Sequence, residues 1–132
     1  MLQEQKDNVT KLIAALRSGE FAQGTGALCE FQRDENGDIL LDEKPKGYCC
    51  LGVAGKLLGY TDVELRRMKS NFPAIGQSIG GFLTNFAADK FGFDPGMQRE
   101  LARRNDEVGS TFEKVAAFLE QWLRSQEELE QL

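Results

Sequence analysis

The run Tyr48-Cys49-Cys50-Leu51-Gly52-Val53-Ala54-Gly55-Lys56-Leu57-Leu58-Gly59 constrains the fold more than any other part of the chain. It is the most apolar stretch, and it carries two of the three cysteines. Leu51, Ala54, Leu57 and Leu58 form a helical apolar stripe. Gly52 and Gly55, three residues apart, leave room on that helix for a second backbone. The run therefore reads as a short buried helix that begins at the cysteines and stops at Gly59, with the other elements packed around it.

Upstream, Val9, Leu12, Ile13 and Leu16 fall at i, i+3, i+4 and i+7, which predicts an amphipathic helix from Gln3 to Ser18 with Gly19 beyond its end. Ala27 to Gln32 alternates, Asn36-Gly37 is a hairpin turn signal, and Ile39-Leu40-Leu41 is the expected returning strand. Thr61-Asp62-Val63-Glu64 is a capping box opening a helix to about Lys69. Ser70 to Phe82 reads as a loop with at most one short strand; its apolar Ile75 and Ile79 fit no clean periodicity. A short helix from Thr84 to Phe91 precedes Asp94-Pro95, an N-cap followed by proline at N1, and a helix to about Arg104 that Asn105-Asp106 ends. Ser110-Thr111-Phe112-Glu113 is a second capping-box pattern, opening a final helix with Phe112, Val115, Ala116, Leu119 and Leu123 inward. The fold class is α+β: about five helices around a small antiparallel hairpin or sheet, one compact domain over residues 1–125. Residues 126–132 are expected to fray, because acidic side chains at a helix C-terminus oppose the helix dipole.

Composition narrows the chemistry. The 132 residues include no histidine, which removes the commonest general base and metal ligand. Three cysteines without histidine make an incomplete zinc set, so neither metal nor cofactor is expected. The net charge of −5 argues against general nucleic-acid binding, which needs clustered Lys and Arg. No apolar run approaches the length of a membrane span, about 18 residues. The polar N-terminus and unpaired cysteine pattern point to a reducing cytoplasm.

Three groups of residues are candidates for function, and each has a plain structural reading beside it. Cys49 and Cys50 sit at a helix N-terminus, where the dipole favours thiolate; equally, free cysteines flanked by Tyr48, Leu51 and Val53 behave as small buried hydrophobes. Arg17, Gln23, Gly24, Asn105 and Asp106 lie at or just past helix ends and in a glycine-containing connector. Such positions can converge on one pocket, with the Arg17 fork suited to an anion. The alternative is that Asn105 and Asp106 cap and turn, with Arg17 paired to Asp106. Phe118 and Trp122 widen the apolar face of the last helix, either as core or as a homodimer seam. No residue is assigned as catalytic.

Several fragments occur in a fixed order: Ala15-Leu16-Arg17-Ser18-Gly19, Gln23-Gly24, Tyr48-Cys49-Cys50-Leu51-Gly52-Val53, Leu101-Ala102 with Asn105-Asp106, and Ser110/Thr111-Phe112. Together they resemble a widespread family of small uncharacterised proteins encoded by bacteriophages and prophages, and the resemblance covers most of the chain, from about Val9 to Trp122. The glycine-rich stretch from Ser70 to Leu83 departs from that pattern. The resemblance implies an accessory protein of the bacterial host cytoplasm, active in host takeover or against host defence. The expected function is non-enzymatic: it binds and sequesters or inhibits a host protein or a small anionic, nucleotide-like signalling ligand. The alternative is a small hydrolase or transferase using Cys50 or Asp106.

Overall fold

A computed structural model of the chain describes residues 1–72 and 77–132. Helix α1, Gln3–Arg17, buries Val9, Leu12, Ile13 and Leu16, the four positions its periodicity marks. Two side chains on its outer turns reach across to another element: Gln5 donates to the Asp89 carbonyl at 2.7 Å and Asn8 to the Lys90 carbonyl at 2.8 Å.

The apolar run forms α2, Cys50–Leu57, with Cys49 as N-cap. Leu51, Val53 and Ala54 are completely buried. The helix ends at Gly59, whose φ of +97° only glycine adopts without strain, and the Tyr60 amide closes back on the Gly55 carbonyl at 3.1 Å. Gly52 has a different constraint. A Cβ built there would lie 1.7 Å from the Leu28 carbonyl oxygen, so backbone meets backbone at this point.

The sheet in front of α2 differs from the expected hairpin. Strand β1, Cys29–Glu30, pairs antiparallel with β2, Gly47–Tyr48, in the register Cys29↔Tyr48 and Glu30↔Gly47. On the other side of Tyr48 its amide donates to the Ala22 carbonyl at 2.9 Å, and its carbonyl accepts from the Gly24 amide at 2.7 Å. The Asn36-Gly37 turn does form, but it closes only an isolated Arg33↔Ile39 bridge. Burial explains the change of partner. Leu28 and Cys29 are adjacent and both buried, so this segment does not alternate, while Leu41 is exposed and Ile39-Leu40 only half-buried. The returning segment contributes only a half-buried Ile39 to the core, whereas Gly47–Tyr48 runs straight into the buried α2.

Helix α3, Asp62–Arg67, carries the capping box as expected: the Glu64 amide donates to Thr61 Oγ1 at 3.1 Å and the Thr61 amide to Glu64 Oε1 at 2.9 Å. The Ser70–Phe82 stretch, expected to hold at most one strand, instead contributes two. Strands β3, Lys69–Phe72, and β4, Gln77–Gly80, pair antiparallel from Lys69↔Gly80 to Phe72↔Gln77. Ile75 lies outside the described residues. Helix α4, Asn85–Asp89, is capped by Thr84, and α5, Pro95–Asp106, by Asp94, whose Oδ1 accepts from the Met97 amide at 2.7 Å. Gln98 of α5 is fully buried and holds the Leu83 backbone from both sides, accepting from its amide at 2.9 Å and donating to its carbonyl at 3.0 Å.

Helix α6, Phe112–Glu130, starts one residue later than the Ser110 capping box implies. Thr111 is the N-cap, bonded to the Lys114 amide at 3.2 Å, which leaves the Glu113 carboxylate free for another partner. The helix also continues past Gln126, where fraying was expected, to Glu130. Its carboxylate is held there by Lys6 at 2.7 Å and by the N-terminal ammonium, two cations that offset the unfavourable dipole. The described residues thus form six helices and two small antiparallel pairs, an α+β domain. Its core is α2, flanked by α1 and α5, with α6 laid along α1.

Gly52→Ala is expected to cost about 3 kcal/mol or more, because the Leu28 carbonyl cannot move aside without breaking the sheet. Gly80→Ala, whose Cβ would meet nothing within 4 Å, should stay within about 0.5 kcal/mol of the parent. Urea unfolding of the two variants measures the contrast.

Candidate functional site

Four of the five expected ligand-binding residues come together, and they bind one another. Asn105, only 1% exposed, lies in the last turn of α5 rather than beyond it. Its Oδ1 accepts from the Cys50 amide at 3.1 Å and from Gln23 Nε2 at 3.4 Å. Its Nδ2 donates to the Gly24 carbonyl at 2.9 Å and to Asp106 Oδ1 at 3.0 Å. A carboxamide offers two donors and two acceptor lone pairs, so Asn105 is saturated. Asp106 Oδ1 also accepts from the Gly26 amide at 3.1 Å, and Gln23 Nε2 reaches the Asn105 carbonyl at 3.3 Å. The group is a latch joining the start of α2, the Gln23–Gly26 connector and the end of α5.

Arg17 is not part of it. Its Nε donates to both oxygens of Glu113 at 3.1 and 3.0 Å, and its two terminal nitrogens to Glu120 at 2.9 and 3.2 Å. Those two carboxylates push its pKa still higher, and the guanidinium ties α1 to α6. The expected structural partner, Asp106, is replaced by two glutamates one heptad apart on α6.

The three cysteines are free and buried. Desolvation outweighs the helix N-terminus at Cys49, lifting its thiol from an ordinary value near 9 to about 11. Burial raises Cys50 well above its usual value and carries Cys29 up to about 12. Cys50 Sγ points at the Leu101 carbonyl, 3.6 Å away. At neutral pH these are thiols packed in the core, opposite in direction to the activation a nucleophile needs. Among the described residues no group of His, Cys, Asp and Glu is arranged to hold a metal ion. No helix of the structure is long and apolar enough to cross a membrane.

Phe118 and Trp122 are half-buried on α6. The Arg104 guanidinium lies 3.9 Å from the Phe118 ring centroid, and the Trp122 ring is 5.6 Å from that of Phe93. A shallow groove of about 500 Å³ runs past both rings, between Arg104 and Ser125.

A second cavity lies elsewhere. A cleft of about 660 Å³ opens between the Thr25–Arg33 segment, Ile39, Lys46 and Arg66 of α3. Its lining holds three cations, Arg33, Lys46 and Arg66, and one carboxylate, Glu30. Arg33 is positioned by donating from Nη1 to the Gly37 carbonyl at 2.8 Å. Lys46 is only loosely paired with Glu30, at 3.8 Å. Arg66 has no ion-pair partner among the described residues. Tyr48 and Lys56 both bind the Asp62 carboxylate, at 2.7 and 3.1 Å, which keeps that acid occupied. The sequence holds no local signal for this cluster, because its cations are scattered over 34 positions between Arg33 and Arg66.

No protein-family model, no curated protein and no solved structure matches this chain.

Asn105→Ala would leave the buried Cys50 amide and Gly24 carbonyl without partners, at about 3 kcal/mol in urea unfolding. The thiols predict a pH effect of definite sign. A thiol whose pKa is higher in the folded chain favours folding fully below its unfolded value near 9, and that contribution is lost as pH rises towards about 11 for Cys49. Stability should therefore fall across that alkaline window, and a thiol-specific reagent should label the native protein at pH 8 only as fast as it unfolds.

Proposed function

We propose that this is a non-enzymatic accessory protein of the bacteriophage kind its sequence resembles, acting in the host cytoplasm by capturing a small anionic ligand and withholding it. The observation that carries this reading is the basic cleft. Three cations face one carboxylate there, in a chain whose net charge is −5. Acidic surroundings repel anions in general, so a local cationic pocket selects those able to reach it. Its volume of about 660 Å³ suits a ligand of nucleotide size. Arginine forks at Arg33 and Arg66 match phosphate or carboxylate oxygens, with Lys46 as a third point charge.

The hydrolase or transferase alternative draws little support. Cys50 is buried and protonated, and Asp106 spends one oxygen on the Gly26 amide and the Asn105 carboxamide. Binding moves from the latch residues to the cleft, while Gln23, Gly24, Asn105 and Asp106 act as the scaffold behind it.

Native mass spectrometry of protein purified from bacterial cells, followed by titration with inorganic phosphate and a panel of mononucleotides, tests the reading. The parent should retain or bind an anion, and Arg66→Glu should weaken that binding at least about tenfold, or 1.4 kcal/mol. Folding stability should change by no more than about 0.5 kcal/mol, as expected for an exposed side chain. A parent protein that neither carries nor binds any of these anions would sink the proposal.

A further inference from the structure

The basic cleft contains one group that anion capture alone does not account for. Glu30 is the one carboxylate on its lining, set among Arg33, Lys46 and Arg66. A negative charge there repels the ligand that the cations attract, so it weakens the hold on a bare anion. Glu30 is also short of partners. Its side chain makes no hydrogen bond among the described residues, and Lys46 Nζ stands 3.8 Å away, beyond hydrogen-bonding distance. Its place is nonetheless built. The Glu30 carbonyl accepts from the Lys46 amide at 2.8 Å, which ties the two residues together through the backbone. Gly24 leaves the room in which the carboxylate sits: a Cβ there would lie 2.9 Å from Glu30 Oε2. The side chain is 35% exposed and lines the cleft, with Phe31 and Ile39 as apolar wall.

We infer that the captured anion is a ribonucleoside monophosphate, whose ribose hydroxyls donate to Glu30 while its phosphate meets the Arg33 and Arg66 forks. This rests on the reading of the cleft as an anion-capture site and narrows its ligand class. A carboxylate with no hydrogen bond, placed beside phosphate-binding cations, needs a ligand that brings donors as well as anionic oxygens. Ribose hydroxyls are the donors that carboxylates take in nucleotide sites. A hydroxyl bonded to an ionised oxygen makes a stronger hydrogen bond than one between neutral groups. Lys46 offsets the Glu30 charge that the phosphate would otherwise face. Phe31 and Ile39 give the apolar faces of base and sugar a surface to lie on. The same carboxylate works against a sugar without hydroxyls, because that ligand covers a charge and offers it no donor. Glu30 is thus a specificity residue, and the arginines supply the attraction.

Isothermal titration calorimetry of the full chain with the ribonucleoside 5′-monophosphates and their 2′,3′-dideoxy counterparts tests this. The parent should bind at least one ribonucleotide about tenfold more tightly than its dideoxy counterpart. Glu30→Gln keeps the shape and removes the charge; it should narrow that ratio to about threefold or less. The same variant should bind the dideoxy nucleotide as tightly as the parent does, or more tightly, because a repelling charge has gone. A carboxylate that only steadied Lys46 would, once replaced, change both members of each pair by the same factor. A parent that binds the two members equally, or binds inorganic phosphate alone, overturns the inference and leaves anion capture intact. A folded Glu30→Gln chain that keeps the full preference does the same. A parent that binds neither the nucleotides nor phosphate removes the capture reading, and this one with it. The parent's own ratio needs no variant, so the inference stands or falls even where Glu30→Gln does not fold.

Discussion

One buried carboxamide sets the position of everything around it. Asn105 lies in an apolar interior, where an unpaired amide would cost several kcal/mol, about 2–7 depending on the reference state. It is tolerated because each of its hydrogen-bonding positions is filled, by Cys50, Gln23, Gly24 and Asp106. Satisfying it requires the first turn of α2, the connector after α1 and the last turn of α5 to meet in one arrangement. A shifted α2 would orphan the Cys50 amide and the carboxamide together. Apolar packing of Leu51, Val53 and Ala54 supplies the drive to bury α2, but such packing tolerates sliding; the directional bonds do not. The contact between Gly52 and the Leu28 carbonyl fixes the same helix from its other side.

Much of this was legible in the sequence. Periodicity located the inner face of α1 to the residue, and the Thr61–Glu64 box and the Gly59 stop were read from local chemistry, because caps depend on neighbours within a few positions. What failed was non-local. The Asn36-Gly37 turn is real, yet turn chemistry does not say how far the ladder extends, and the buried Leu28-Cys29 pair drew β2 in as partner instead. Convergence of Gln23, Gly24, Asn105 and Asp106 with Arg17 was one of two readings the sequence left open; the mutual saturation of the first four was not readable, since it depends on the Cys50 amide at the core of the run. Arg17 went to α6 because the later helix start at Thr111 freed Glu113. Nothing in the neighbourhood of Arg33, Lys46 or Arg66 marks them as companions.

The distribution of charge follows from those pairings. On the helical side, Glu113, Glu120 and Glu130 are matched by Arg17, Lys6 and the N-terminal ammonium, so much of the acid there is neutralised within the fold. Glu100 is likewise shared by Arg103 and Arg104, which holds its carboxyl near 2. On the sheet side the balance is different, and Arg66 has no such match among the described residues. An acidic protein thus keeps a locally positive opening by satisfying its cations unevenly.

The packing of α6 along α1 has a consequence for how the chain is made. These are the first and last helices in sequence, and they share the most extensive contact between any two elements. The apolar face of α1 leaves the ribosome early and waits for its cover until residues 112–130 have been added, several seconds later at about 5–20 residues per second. During that interval Val9, Leu12, Ile13 and Leu16 are without their cover. Closure of the core then depends on a contact of high sequence separation, which is slower to form than a local one.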